Sequence, residues 1–210
     1  MLALSVLFIV ITNANIVIGQ EQQQCLCSEI QPCLDKSPNV GMPCADECQE
    51  HFGSAGVNYG LFRKCIAARS PEFTATVQCL RDSFPDACSN TDERVMVQQS
   101  DPIELELAIA NSIETRLGNS GVLEDVQGIM EHGKRFLKCF RACIQHETFK
   151  CARDNNCGLA LPDTNTLVNT GIDCALKGGF NNEVIQSLCS CMVSSGLDSL
   201  ASVCPRLNLY

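Results

Sequence analysis

Sixteen cysteines are the feature that most constrains this chain of 210 residues. They form two clusters of eight, separated by fifty residues without a cysteine. An even number of cysteines in an oxidising compartment predicts that all are bridged, here as eight disulfides. The first cluster comprises Cys25, Cys27, Cys33, Cys44, Cys48, Cys65, Cys79 and Cys88. The second cluster comprises Cys139, Cys143, Cys151, Cys157, Cys174, Cys189, Cys191 and Cys204.

The first residues predict export from the cell. Residues 2–11 are apolar apart from Ser5, and this run is too short to cross about 30 Å of hydrocarbon as a helix. The small residues Val17 and Gly19 suit a signal peptidase site, so we expect residues 1–19 to be a signal peptide. No later segment is continuously apolar over about 18 residues. The sequence therefore predicts a secreted, extracellular protein without a transmembrane segment after signal cleavage.

The formal net charge of −9 argues against several classes of partner. Nucleic acid, heparin-like polyanions and anionic membrane surfaces all bind through excess Lys and Arg. We therefore expect an extracellular protein or a matrix component as the partner, and no nucleic acid.

Cysteine spacing suggests a repeat. When Cys27 is aligned with Cys139, both halves show a gap of 16 residues, followed by a gap of 13 in one and 14 in the other. We interpret this as a divergent tandem duplication, with chance agreement as the alternative. Bridges are then expected within each cluster, apart from one that could join the unmatched Cys25 and Cys191.

The duplication divides the chain into modules. Residues 20–90 form a first cysteine-rich helical module and residues 121–210 a second. Residues 91–120 form an acidic connecting segment that contains a helix. The wider stretch 91–138 carries nine acidic and five basic side chains.

The connecting segment has the signals of a helix. Asp101 is placed to cap it, Pro102 suits its first position, Glu104 completes a capping box and Gly118 would end it. The alternation of apolar residues with glutamates over residues 103–107 also permits a strand. The expected apolar face of the helix consists of Ile103, Leu107, Ala110, Ile113 and Leu117.

A second helix is predicted over residues 122–144, and it carries two cysteines. Cys139 and Cys143 lie one turn apart, where Cβ atoms are about 5–6 Å apart, too far for a disulfide. Each must therefore bond to a neighbouring segment, and Cys44 and Cys48 repeat the arrangement. Strand signals are scarce, so the predicted fold class is all-α and disulfide-rich, with helices bridged to helices. The apolar stripe comprises Val122, Val126, Ile129, Met130, Phe136, Leu137, Phe140 and Ile144.

Signatures of catalysis and of cofactor binding are missing from the sequence. It has no His-Glu-x-x-His motif, no Gly-x-Ser-x-Gly motif and no phosphate-binding loop. The three histidines are His51, His132 and His146. A zinc site at His146 and Cys143 would need a free thiolate, which an even cysteine count disfavours. We expect no metal, no cofactor and no enzymatic activity.

Two Ser-Gly pairs are candidate sites for attachment of a glycosaminoglycan. They are Ser120-Gly121 and Ser195-Gly196. A helix N-cap before residue 122 is the alternative role for Ser120. A turn between helices is the alternative for Ser195.

The cysteine pattern resembles that of secreted cysteine-rich nematode proteins of the chondroitin proteoglycan 4 type. The residues concerned are Cys44-x-x-x-Cys48 and Cys139-x-x-x-Cys143, with the cysteines that follow each. The resemblance implies a role in extracellular matrix, with chondroitin carried on Ser-Gly sites.

Two functions follow from these patterns. The first is a non-catalytic extracellular protein with a structural or binding role of the matrix type. The alternative is a secreted carrier or antagonist that binds an apolar ligand or a partner protein between its helices. A large apolar pocket would favour the carrier, whereas a cleft with coupled His and carboxylate groups would favour an enzyme.

Overall fold

A computed structural model describes residues 21–51, 56–98 and 102–210 of the protein, without the side chains of 102–103 and 128–132. The predicted signal peptide and the predicted cap Asp101 lie outside these residues. So do the side chains of three residues predicted to lie on apolar helix faces, Ile103, Ile129 and Met130, and the side chain of His132.

The described residues are mostly helical, which confirms the all-α, disulfide-rich class. A short antiparallel ribbon is the departure from it: strand β1 (Glu21–Gln23) pairs with strand β2 (Met96–Gln98), with Gln22 opposite Val97. Short 3-10 turns near the carboxyl end cover Asp198–Leu200 and Cys204–Arg206. The helices are α1 (Cys27–Glu47), α2 (Tyr59–Ala67), α3 (Ser70–Ser83), α4 (Pro102–Asn119), α5 (Leu123–Thr148), α6 (Lys150–Asp154), α7 (Thr164–Lys177) and α8 (Asn182–Ser194).

Helix α4 confirms the predicted helix in the connecting segment and corrects two details of it. The helix continues through Gly118 to Asn119, because the left-handed residue that follows it is Gly121, with φ of 65°. Leu105 is fully buried whereas Leu107 is 58% exposed. The buried stripe therefore recurs every four residues from Leu105 to Ile113 and Leu117, and Leu107 faces outward.

Helix α5 confirms the second predicted helix and extends it to Thr148. Gly133 lies within the helix and does not interrupt it. The described members of the predicted stripe are buried with the exception of Leu137, which is half-buried at the edge of the core. The buried members are Val122, Val126, Phe136, Phe140 and Ile144.

Helix α1 contains three prolines that sequence patterns would place at helix ends. Pro32, Pro38 and Pro43 all lie within its 21 residues. Each removes one backbone donor, and in an ordinary helix interior costs about 3 kcal/mol. Bridges at Cys33 and Cys44 tie this helix to its neighbours on either side of Pro38.

The prediction that bridges stay within each cluster is wrong. Most of the eight disulfides join the two clusters, and the unmatched Cys25 bonds to Cys157 and not to Cys191. Helices α1 and α5 lie side by side and antiparallel, so their paired cysteines bond across the contact, as one-turn spacing requires. The six bridges between clusters are Cys25–Cys157, Cys33–Cys151, Cys44–Cys143, Cys48–Cys139, Cys65–Cys191 and Cys79–Cys174.

The other bridges also follow helix packing. Cys65–Cys191 joins α2 to α8, and Cys79–Cys174 joins α3 to α7, both pairs of helices in extensive contact. Two bridges remain within a cluster: Cys27–Cys88 and Cys189–Cys204. The module boundaries proposed from the sequence stay a prediction, but residues of both modules build one main core.

Two groups of buried apolar side chains support the fold. The main core includes the aromatic contacts Phe62–Phe136 and Phe73–Phe180, with ring centroids 5.9 and 4.8 Å apart. A smaller satellite cluster lies at the amino end of α1, beside the ribbon. Its buried members are Cys25, Ile30, Ala152 and Cys157.

Candidate functional site

The main candidate site is an apolar cavity between the main core and the satellite cluster. Its volume is about 490 Å³. The walls come from α1, from α3 and the segment after it, and from the chain around α6. The apolar lining residues are Ile30, Leu34, Val77, Leu80, Phe84, Pro85, Ala87, Phe149, Ala152, Leu159 and Leu161.

Helical spacing accounts for two of the walls. On α1, Ile30, Leu34 and Ser37 follow one another at intervals of four and three residues, so they share a face. On α3, Val77 and Leu80 face them in the same way. Because all five residues line the cavity, the cavity opens between these two helix faces.

Disulfides fix the frame of the cavity. Cys27–Cys88 ties the start of α1 to the segment after α3, and Cys33–Cys151 ties α1 to α6. Cys27, Cys33 and Cys88 themselves lie in the wall. These covalent links hold three walls at set separations, so the cavity need not collapse when it is empty.

The size of the cavity sets it apart from a packing defect. Protein interiors contain few voids larger than a water molecule, and side chains around a void lose van der Waals contacts. A volume of about 490 Å³ lies within the range of small-molecule sites, about 300–1,000 Å³. The lining is mostly apolar with a few polar groups, which is also typical of such sites.

A second, smaller cavity of about 70 Å³ adjoins the first. Ser37 and Val77 line both cavities and so lie in the wall between them. The Ser37 hydroxyl is buried and has no hydrogen-bond partner among the described residues. An unpaired buried hydroxyl costs about 1–3 kcal/mol, so a bound polar group that reached it would be stabilised.

Polar side chains at the mouth of the main cavity are mostly paired with neighbours. Asp82 accepts a hydrogen bond from Gln78 at 2.8 Å, and Gln31 donates to Asp35 at 2.5 Å. Arg81 is half-buried in the wall, and its side chain has no hydrogen bond or ion pair to another described residue. The mouth therefore holds one cation whose donors are available.

All sixteen cysteines are bridged, as the even count predicted. A thiolate nucleophile or a thiolate metal ligand therefore has no residue to supply it. Within 21–51, 56–98 and 102–210, no group of three or more His, Cys, Asp or Glu side chains could hold a metal ion.

Ser120 has a structural role that differs from the predicted helix cap. Helix α5 follows Val122, which makes no side-chain cap. The Ser120 hydroxyl lies 3.0 Å from the Arg116 carbonyl and 2.6 Å from the Asn208 carbonyl, and it accepts the Asn208 N–H at 3.1 Å. Ser120 thus holds the carboxyl-terminal tail against α4.

Ser195 lies in a turn after α8, as its alternative reading predicted. Its hydroxyl donates to the Met192 carbonyl at 2.7 Å, and the residue is 1% exposed. The following Gly196 has φ of 107° and approaches the backbone of Gly56 closely. This burial argues against a glycan at Ser195 in the folded protein.

Titratable groups with shifted pKa values lie away from the cavity. Arg63 makes two hydrogen bonds to Asp46, at 2.7 and 3.0 Å, and Tyr59 donates a third at 2.7 Å. The hydrogen bond from Arg63, followed by that from Tyr59, lowers the pKa of the Asp46 carboxyl. His51 and His146 each lie next to a neighbouring glutamate and outside the cavity lining.

The cavity is not evident from the amino-acid sequence, for a physical reason. The stripe from Ile30 to Ser37 has helical spacing, but Pro32 and Pro38 argue against a continuous helix there. The facing wall on α3 is 40 or more residues away in sequence. Only the folded chain brings the two together.

No known protein family, curated protein or solved structure matches this chain. Among the described residues, no helix has both the length and the apolar character needed to cross a membrane. The geometry of the chain itself therefore carries the functional argument.

Proposed function

We propose that this protein is a secreted, non-catalytic binding protein that carries a small apolar ligand in the cavity between α1, α3 and α6. The observation that carries the proposal is a cavity of about 490 Å³ with a mostly apolar wall. A large apolar pocket is the feature that was expected to favour the carrier over the matrix-type role.

The matrix-type role stays a prediction from the sequence. The family resemblance that supported it implied chondroitin on Ser-Gly sites, here Ser120 or Ser195. Ser195 is buried, and the Ser120 hydroxyl is engaged by the carboxyl-terminal tail. These contacts favour the carrier as the better-supported function.

Secretion is part of the proposal and is supported by the bridges. Eight disulfides form and persist in oxidising compartments such as the secretory route and the extracellular space. The signal peptide expected at residues 1–19 and the absence of catalysis remain predictions.

The cross-linked frame suits a carrier. When a ligand enters a cavity that is already formed, little free energy is spent on ordering the protein. More of the free energy of apolar contact therefore contributes to affinity. Burying apolar surface contributes about 25 cal/mol per Å² removed from water. A ligand that fills the cavity should also raise the unfolding temperature, because it binds the folded state alone.

Binding of the neutral apolar dye N-phenyl-1-naphthylamine tests the proposal. We expect saturable fluorescence enhancement with one site per chain. Ala87→Trp adds an indole to the cavity wall and should weaken binding about tenfold or more, because the dye and the indole compete for the same volume.

The matched control is Ala75→Trp, the same substitution at an exposed position on α3 outside the cavity lining. It should bind the dye like the unchanged protein. Circular dichroism and a thiol count check that both variants fold. The proposal fails if the dye does not saturate, or if both tryptophan variants bind equally.

A further inference from the structure

The free cation at the cavity mouth indicates the chemistry of the ligand. Arg81 lies in the last turn of α3, one turn after Val77 on the same face. Among the described residues that line the cavity it is the only Lys or Arg. Its guanidinium offers five N–H donors in a planar fork that fits a carboxylate.

Neither the described neighbouring residues nor the end of the helix forms a hydrogen bond with the Arg81 guanidinium. Asp82 is adjacent in sequence, but its carboxylate is exposed and bonds to Gln78. A cation at the end of a helix is stabilised by the helix dipole by about 0.3–1 kcal/mol, which does not require a hydrogen bond. The donors of a half-buried guanidinium therefore remain available to a ligand.

The cavity combines an apolar wall with few charged groups. The side chains of Leu34, Leu80, Phe149 and Leu159 present hydrocarbon, and the half-buried Arg81 and the exposed Asn90 also line the cavity. A ligand matched to both parts has an apolar body and a charged end. Asp82 also lines the cavity, so the single guanidinium can balance at most one negative charge on a ligand. That suits a carboxylate better than a phosphate with about −1.5 to −2 charges.

We propose that the cavity binds a single-chain amphiphile with a carboxylate headgroup, of the fatty-acid class. The carboxylate pairs with Arg81 at the mouth, and the hydrocarbon chain lies against the apolar walls of α1, α3 and α6. This inference rests on the proposed carrier function and adds the chemical class of the ligand.

The net charge of −9 opposes any anionic ligand at long range. That repulsion is screened over about 8 Å at physiological ionic strength. A contact ion pair in a partly desolvated mouth is screened less, so the local cation decides the preference. Raising the salt concentration should therefore change the affinity for the carboxylate only modestly.

Titration calorimetry at neutral pH with decanoate and methyl decanoate tests the headgroup. The two compounds share a hydrocarbon chain and differ in charge. We expect decanoate to bind about tenfold more tightly, the size of one charge-assisted hydrogen-bonded pair at a partly exposed site. Arg81→Gln should remove this ratio, because the acid and the ester then meet the same uncharged side chain.

Lys64→Gln is the matched control, because it removes the same charge from an exposed position outside the cavity lining. It should keep the tenfold ratio. Equal binding of acid and ester, or a ratio that survives Arg81→Gln, overturns the carboxylate assignment alone. If neither decanoyl compound nor the neutral dye binds, the carrier function itself is wrong.

Discussion

At the scale of single residues, both tyrosines of the chain are shielded from water. The Tyr59 hydroxyl donates to Asp46, and burial followed by this hydrogen bond raises its pKa. The Tyr210 hydroxyl is buried without a hydrogen-bond partner among the described residues, and the Arg116 guanidinium lies 5.5 Å from its ring centroid. Burial raises the pKa of Tyr210 to about 12, although the nearby Arg116 charge lowers it in part.

Alkaline titration should therefore show delayed ionisation of tyrosine. Unfolded tyrosines lose their protons near pH ~10, whereas in the folded protein Tyr210 keeps its proton to about 12. Both folded pKa values are raised, so this contribution to stability is full below pH ~10 and is lost as the pH rises toward the folded values. Tyrosinate absorbance of the native protein should stay low through pH ~10.

Reduced and denatured protein is the control for this titration, and its absorbance should rise with a midpoint near pH ~10. A native protein that titrates at the same midpoint would contradict the burial of the two hydroxyls.

At the scale of elements, the contact between α3 and α7 depends on one glycine. Gly178 follows α7, and a Cβ atom there would lie 2.2 Å from the Thr76 Oγ1 and 2.9 Å from the Glu72 carbonyl oxygen of α3. Thr76 is fully buried and its hydroxyl donates to that same carbonyl at 2.7 Å. The contact between α3 and α7, which Cys79–Cys174 also joins, therefore requires a residue without a side chain.

Gly178→Ala should destabilise the protein by about 1–3 kcal/mol, because the added methyl group displaces buried backbone. The matched control is Gly118→Ala in the exposed part of α4, where nothing lies within 4 Å of the added carbon. Alanine is the better helix former, so this variant should gain about 0.5–1 kcal/mol.

Denaturant unfolding under non-reducing conditions measures both changes in the free energy of unfolding. Equal changes in the free energy of unfolding would show that α3 and α7 are not in close contact at Gly178.

At the scale of the whole molecule, four of the bridges are related by an exchange of matching cysteines between the two halves. When each cysteine is replaced by its counterpart in the other half, one of the two α1–α5 bridges becomes the other. In the same exchange, the α2–α8 bridge maps onto the α3–α7 bridge. The duplication stays a prediction, but this exchange indicates a register that keeps the match of Cys65 with Cys174 and otherwise differs from the one that the gaps favoured. It matches Cys44 with Cys139, Cys48 with Cys143, Cys65 with Cys174 and Cys79 with Cys191.

Cleavage of the folded chain distinguishes this connectivity from bridges confined to each cluster. With a protease site inserted at residues 99–101, the cut protein should run as one species on a denaturing gel without reductant. It should separate into two fragments after reduction, because six bridges cross the cut.

The double variant Cys25→Ser, Cys157→Ser is the control, since it removes any bridge from Cys25 and leaves five across the cut. It too should stay one species until reduced. Release of two fragments without reductant would restore the confined pairing.

Local properties of the sequence determined the helical class, the start of α4, the existence of α5 and the bridging of every cysteine. Helical periodicity and Pro at a first helical position can be read from a few neighbouring residues. An even cysteine count can be read from the composition. The same reasoning showed that Cys139 and Cys143 cannot bond to each other, because one-turn spacing in a helix sets their separation.

Only the tertiary structure decided which cysteines pair and where the cavity lies. Pairing depends on which helices pack together, and the contacts of α1 with α5 and of α3 with α7 join residues about 90 to 100 apart in sequence. Three prolines concealed α1, since their local cost is offset by contacts and bridges that the sequence does not display. The cavity lies between elements that are distant in the sequence. The position of Arg81 in its lining is therefore defined only by the folded chain.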